Sequence, residues 1–203
     1  MILGLDYTIL SLIIILCLLP LYVYKYRKKV FKYYYNKNSF ISLFKDLKLY
    51  LKNNYSKINF DFSKVDLKKS NDLSMLLFIE DITKQFINFE YIPKTQKSIQ
   101  RDMLWGNYEK ESIPQNNTPN NLLRRKELVV KRDNYRCNRC GYPIKTDTSM
   151  LFLVKDIEKG GTYHFENLTV LCNDCNKIIH SDNPEKLMND LNIYFTLKKR
   201  YLK

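Results

Sequence analysis

Two C-x2-C pairs, Cys137-Asn-Arg-Cys140 and Cys172-Asn-Asp-Cys175, constrain this chain more than any other feature. Thiolates at that spacing converge on a single tetrahedral ion, so residues 141–171 must leave the site and return to it. Four sulfur ligands leave no open position for a substrate, and the expected ion is therefore structural. Zn2+ is the expected occupant; an iron–sulfur centre is the alternative, and unbonded thiols are the bland reading. The fifth cysteine, Cys17, stands alone in an apolar run, so the pattern is not a disulfide framework and implies a reducing compartment. A domain of this size has a thin apolar core, and a metal would supply much of its folding free energy.

The amino-terminal part has a different character. No charged residue occurs from Tyr7 to Tyr24, and Ile9 to Leu21 is almost wholly aliphatic, about long enough for a transmembrane helix. Lys25, Arg27, Lys28, Lys29 and Lys32 follow at once, while the leader carries only Asp6. That asymmetry predicts a single-pass anchor over residues 1–30, with the N-terminus outside and the rest of the chain cytoplasmic. Tyr22, Tyr24 and Tyr26 suit the headgroup level, and Pro20 is tolerated within a bilayer helix. A cleaved signal peptide needs a basic leader and a small-residue cleavage site, and neither is present. The stretch Lys25 to Lys37, with Tyr33, Tyr34 and Tyr35, reads as a juxtamembrane segment held to anionic lipid.

Residues 31–110 read as a helical spacer or small helical unit. Phe40, Leu43, Phe44, Leu47 and Leu51 recur at helical spacing, as do Ile79, Ile82, Phe86 and Phe89 in a second helix from about Leu73 to Phe89. Ser70, Asn71 and Asp72 offer its N-cap, and a shorter helical stretch is expected over Lys97 to Trp105. Glu80, Asp81 and Glu90 read as a solvated face, and no catalytic constellation occurs here. Residues 111–121, with Pro114 and Pro119 among asparagines, read as a polar linker and the best domain boundary.

After that linker, Leu122 to Asp133 predicts a basic helix leading into the first cysteine pair. Between and beyond the pairs stand Val154-Lys155-Asp156-Ile157, Gly160-Gly161, Glu166-Asn167-Leu168, Val170-Leu171 and finally His180. This order of landmarks over residues 122–182 resembles the HNH endonuclease family in its zinc-knuckle form. The resemblance implies a mostly α chain ending in a small α+β ββα-metal domain, with residues 183–203 as a C-terminal basic helix. It also implies a second divalent ion, commonly Mg2+, that polarises a scissile phosphate while a histidine at the end of the first strand activates water. Carried over by position, Asn167 orients the loop holding that histidine, and His180 is the closing metal ligand.

The departure lies at the strand end. The chain has only 2 histidines, His164 and His180, and neither falls there. Matching the apolar flanks Val154 and Ile157 places Lys155 and Asp156 at the family's His pair. Matching the longer common loop places Phe152 and Leu153 there instead. We adopt the first alignment, which makes Asp156 the candidate metal or water-orienting group. An ordinary carboxylate is a weak base beside a histidine, and loss of a general base typically costs about 10²- to 10⁴-fold in rate. His164 is a rescuing base on one reading and a surface turn residue on the bland one.

The formal charge of +13 calls for an anionic partner: nucleic acid (DNA by the resemblance) or an anionic membrane face. A coding bias toward lysine is the bland alternative. Arg124, Arg125, Lys131, Arg132 and Arg139 are the expected nucleic-acid contacts, and the last helix carries further cations above an inward stripe of Leu187, Leu191, Phe195 and Leu202. Two functions follow. One is a membrane-anchored HNH-type hydrolase of phosphodiester bonds, impaired by the missing histidine. The other is a non-catalytic zinc module binding nucleic acid, or a protein partner, at the cytoplasmic membrane face.

Overall fold

The structure, a computed structural model, describes residues 3–30, 32–63, 72–96, 99–115 and 118–202, apart from the side chains of 3–6, 28–30, 32–40 and 72. The chain is mostly helical with one two-stranded sheet. Helix α1 (Leu3–Val30) contains the apolar run: Tyr7–Arg27 has a mean hydropathy of 2.2, is long enough to cross a membrane, and is nowhere buried against the rest of the protein. Helix α2 (Lys32–Asn54) takes in the expected amphipathic stretch, with Phe44, Leu47 and Leu51 buried and Leu43 exposed. Helix α3 (Asp72–Ile87) buries Met75, Phe78, Ile79, Ile82 and Phe86, which is one stripe at helical spacing. The expected cap residues Ser70 and Asn71 lie outside the described residues. Of the stretch Lys97 to Trp105, the described part forms a single 3-10 turn, Arg101–Met103, rather than a helix.

Helix α4 (Tyr108–Ser112) and helix α5 (Leu122–Arg132) precede the first knuckle. Strands β1 (Met150–Leu153) and β2 (Leu168–Leu171) pair antiparallel, with Phe152 opposite Thr169, and α6 (Asn173–Ile179) follows β2 directly. This β-β-α unit carries the site. Residues Pro184–Asp190 form 3-10 turns, and α7 (Asn192–Tyr201) closes the described chain. Of the expected inward stripe, Leu191 is buried and Leu187 and Leu202 pack against the core. Ile193, Tyr194, Leu197 and Tyr201 are the buried residues of α7, whereas Phe195 points outward at 56% exposure. The Asp174 carboxylate fixes the start of α7, accepting from the backbone N–H groups of Asn192 and Ile193, both at 2.9 Å.

One apolar core runs through the middle helices and the knuckles, from Leu47 and Leu51 through Ile79, Ile82 and Phe86 to Val129, Leu168, Val170, Ile193 and Leu197. Each such aliphatic side chain contributes about 1.5–3 kcal/mol on burial, so the helices of 31–110 are held by the module they cover. Polar contacts cross the same seam: Lys57 N donates to Cys140 O at 3.3 Å and Gln96 N to Glu166 O at 2.9 Å. Residues 111–121 make polar contacts of their own to both sides. Glu111 accepts from Trp105 Nε1 and from Asn121 Nδ2, and Ser112 Oγ accepts from Arg125.

Candidate metal centre and strand-end site

The four cysteines meet at the base of the β-β-α unit. All are buried, and their Sγ atoms lie within 4.8 Å of one another, with Cys140 and Cys172 at 3.7 Å. The sulfur–sulfur edge of a tetrahedron with zinc–thiolate bonds is about 3.8 Å, so the cluster has the dimensions of a four-thiolate site able to hold zinc. The first knuckle closes through Gly141 N to Cys137 O (2.9 Å) and Cys137 N to Tyr142 O (2.8 Å). Gly141 adopts φ +80°, and a Cβ there would stand 2.5 Å from Ser56 Oγ, so only glycine allows this approach. Sulfur ligands also receive hydrogen bonds from Tyr142 N (3.4 Å, to Cys140) and Arg139 Nη1 (3.5 Å, to Cys175).

Burial pushes the Cys175 thiol well up, and the neighbouring sulfurs add to it. Hydrogen bonding with Cys137 and Cys140, and then burial, raises Cys172 too. Burial also opposes ionisation of Cys137, but hydrogen bonds from the other three sulfurs outweigh it and hold this thiol low. Four buried thiolates this close would repel one another, and a bound cation is what would hold them together.

After β1 the chain builds the 155–162 loop. Asn167 is nearly buried and ties both ends of the 155–162 loop: Oδ1 accepts from Lys155 N (2.7 Å), and Nδ2 donates to Lys155 O (2.9 Å) and Thr162 O (2.8 Å). Gly161 N donates to Asp156 O at 2.9 Å, and any Cβ at Gly161 would collide with the Lys155 carbonyl. Arg132 sets the turn that carries Asn167, donating to Phe165 O (2.6 Å) and Leu168 O (2.7 Å).

The extent of the strand bears on both alignments. β1 stops at Leu153, so Phe152 and Leu153 occupy its end, and Lys155 and Asp156 lie beyond it in the loop. Asp156 sits before the 3-10 turn Ile157–Lys159, exposed, with its carboxylate paired to Lys159 Nζ at 2.9 Å. His180 caps the end of α6, and its ring meets Phe152 edge-on with centroids 5.9 Å apart. Its Nδ1 lies 2.8 Å from Asn176 O. A carbonyl can only accept, so Nδ1 is the donor in this contact, and in a neutral imidazole that leaves the lone pair on Nε2, as in a metal-ligating histidine. The side chain packed against that ring is a phenyl group, which offers neither a metal donor nor a base. Among the described residues, the four cysteines are the single group of three or more His, Cys, Asp or Glu side chains placed to share an ion. His164 faces α4: its ring packs edge-on against Tyr108 and its Nε2 lies 3.8 Å from Glu109.

Three of the five expected nucleic-acid contacts turn inward. Arg125 is 0% exposed; it donates to Ser112 Oγ and Tyr163 O and is enclosed by the rings of Trp105, Tyr108 and Phe165. Arg139 is 2% exposed and donates to carbonyls at the end of α3. Arg132 is occupied by the Asn167 turn and by Asp133. Arg124 and Lys131 remain at the surface, Arg124 with its guanidinium over the Trp105 ring at 4.5 Å. Phe152 was visible to sequence reasoning through the longer-loop alignment. The burial of the arginines had no local signal, since their carbonyl partners lie far along the chain.

Against known families, residues 137–182 match the HNH endonuclease family. The match spans both knuckles, the sheet, Asn167 and His180. No curated protein and no solved structure matches the chain.

Proposed function

We propose that this protein is a membrane-anchored HNH-type module that binds nucleic acid, braced by one structural zinc, with the family's hydrolytic step disabled at the strand end. The observation that carries this reading is Phe152 packed on His180. HNH cleavage needs two donors facing one another across the strand end and a histidine to take a proton from water. A divalent ion held there would supply charge stabilisation to the scissile phosphate. Here His180 is a single donor with an apolar neighbour, and Asp156 is engaged by Lys159 instead. Zn2+ is the ion expected at the four cysteines, because a closed four-thiolate tetrahedron suits it. Exposed cations such as Arg124 and Lys131 provide phosphate contacts that read charge rather than sequence. Helix α1 is the anchor, and the basic residues that follow it favour a cytoplasmic module.

A second reading, an active nuclease with an atypical site, draws on the Asn167 latch and the His180 tautomer, both of which keep the form that catalysis would use. One experiment separates the two. The full chain, purified in detergent, is offered plasmid DNA with Mg2+ or Mn2+. Salt-sensitive binding without nicking supports the binding module. Metal-dependent nicking that His180→Ala abolishes would establish the nuclease. For the anchor, the chain should stay in the membrane pellet after carbonate washing, and release would reject a spanning helix.

A further inference from the structure

Arg139 carries a charge that its immediate surroundings leave unbalanced. Its Nη2 donates to three carbonyl oxygens where α3 ends: Phe86 at 2.9 Å, Ile87 at 3.0 Å and Phe89 at 2.8 Å. The rings of Phe86 and Phe89 flank the guanidinium at 5.3 and 5.5 Å. Among the described residues no carboxylate pairs with it. Yet it is 2% exposed, and a guanidinium does not shed its proton inside a protein. Carbonyl dipoles at a helix C-terminus offset part of that charge. A buried cation also calls for an anion, because breaking such a pairing leaves a strongly destabilising charge.

The nearest sulfur supplies the answer. Arg139 Nη1 donates to Cys175 Sγ at 3.5 Å. Four thiolates around one divalent cation keep a net double negative charge, enclosed beside this guanidinium. The same side chain therefore spans two structures: one edge grips the last turn of α3, and the other touches the metal centre. We propose that Arg139 is the counter-ion of the loaded four-cysteine centre, and that metal occupancy thereby fastens the C-terminal end of α3 to the zinc module. This rests on the reading of the cysteines as a metal site. It goes beyond that reading by giving the metal a role in holding the helical layer as well as the knuckles.

The test uses the full chain in detergent, loaded with Zn2+ or with Co2+ as a spectroscopic probe. Metal content is measured first, then metal affinity by chelator competition, and then amide exchange over residues 84–89. Arg139→Met should weaken metal affinity by about 10- to 100-fold, the range for losing an outer partner of a ligand, whereas Arg139→Lys, which keeps the charge, should recover most of the loss. Stripping the metal from the wild type should speed exchange at the end of α3. If Arg139 were only glue for α3, the Met variant would bind metal as tightly as the wild type while unfolding more easily, and that result overturns the proposal. Should the Met variant fail to fold, the wild type alone decides: exchange at 84–89 that is indifferent to metal removal overturns the coupling. A wild type that holds no metal overturns the metal centre itself and this inference with it. A wild type that holds metal but leaves α3 unaffected overturns only the inference.

Discussion

Removing the Asn167 side chain by Asn167→Ala tests whether one residue holds the 155–162 loop. Three hydrogen bonds disappear together: Lys155 N to Oδ1 at 2.7 Å, and Nδ2 to Lys155 O at 2.9 Å and to Thr162 O at 2.8 Å. Each net bond is worth about 0.5–1.5 kcal/mol, and a group left buried without a partner costs more. The loop is half-exposed, so water reaches part of what is vacated, and we expect a total of about 2–3 kcal/mol. For a chain of this size that corresponds to a fall in melting temperature of about 4–12 °C. The assay is thermal unfolding of the full chain, paired with amide exchange. The Lys155 amide, which loses its acceptor, should lose protection, and Gly161 N, held to Asp156 O inside the same loop, should follow. The Val154 amide donates to the Asn167 backbone carbonyl and should change least, which makes it the internal control. An unchanged melting temperature together with wild-type exchange at Lys155 would show that the backbone alone holds the loop, and the latch reasoning would be wrong.

Other expectations follow from the same contacts. Asp174→Ala removes the acceptor of Asn192 N and Ile193 N and should cost about 2–3 kcal/mol, read as a lower urea midpoint; an unchanged midpoint would refute its role in starting α7. Arg124→Ala and Lys131→Ala should each reduce the slope of log affinity for DNA against log salt by about 1, whereas Arg125→Met should destabilise the fold and leave that slope alone. A lower slope in folded Arg125→Met would contradict its burial. Stripping metal with a strong chelator should loosen α6, whose first turn contains Cys175, and expose four titratable thiols; a helical circular dichroism signal indifferent to the chelator would refute a bracing role.

Much of the candidate site could be read in the sequence because its signals are local. The cysteine spacing is a signal over a few residues, and the four sulfurs do converge. Gly160-Gly161 and Asn167 were marked by the resemblance, and Asn167 bonds both ends of the loop that holds the glycines. The strand end is different. A run such as Leu151-Phe152-Leu153-Val154 is apolar throughout, so no pattern marks where pairing stops; the partner strand decides, through Leu153 opposite Leu168. Charge was misleading for a related reason. Arg125, Arg132 and Arg139 look alike in sequence to Arg124 and Lys131, and what turns them inward is carbonyl groups on distant segments, such as Phe86 and Phe165. The same blindness applies to residues 31–110, whose apolar stripes were plain but whose covering surface, the knuckle and α7, was not.

That α3 packs against α7 bears on how such a chain comes into being. The apolar stripe of Ile79, Ile82 and Phe86 is synthesised more than a hundred residues before Ile193 and Leu197, which share its core. Throughout translation of the intervening segment the stripe lacks part of its final cover, and exposed apolar surface of that kind favours aggregation. A chain truncated before α7 would leave the part of the stripe that α7 covers exposed. The core around α3 is in this sense complete only once α7 has joined it.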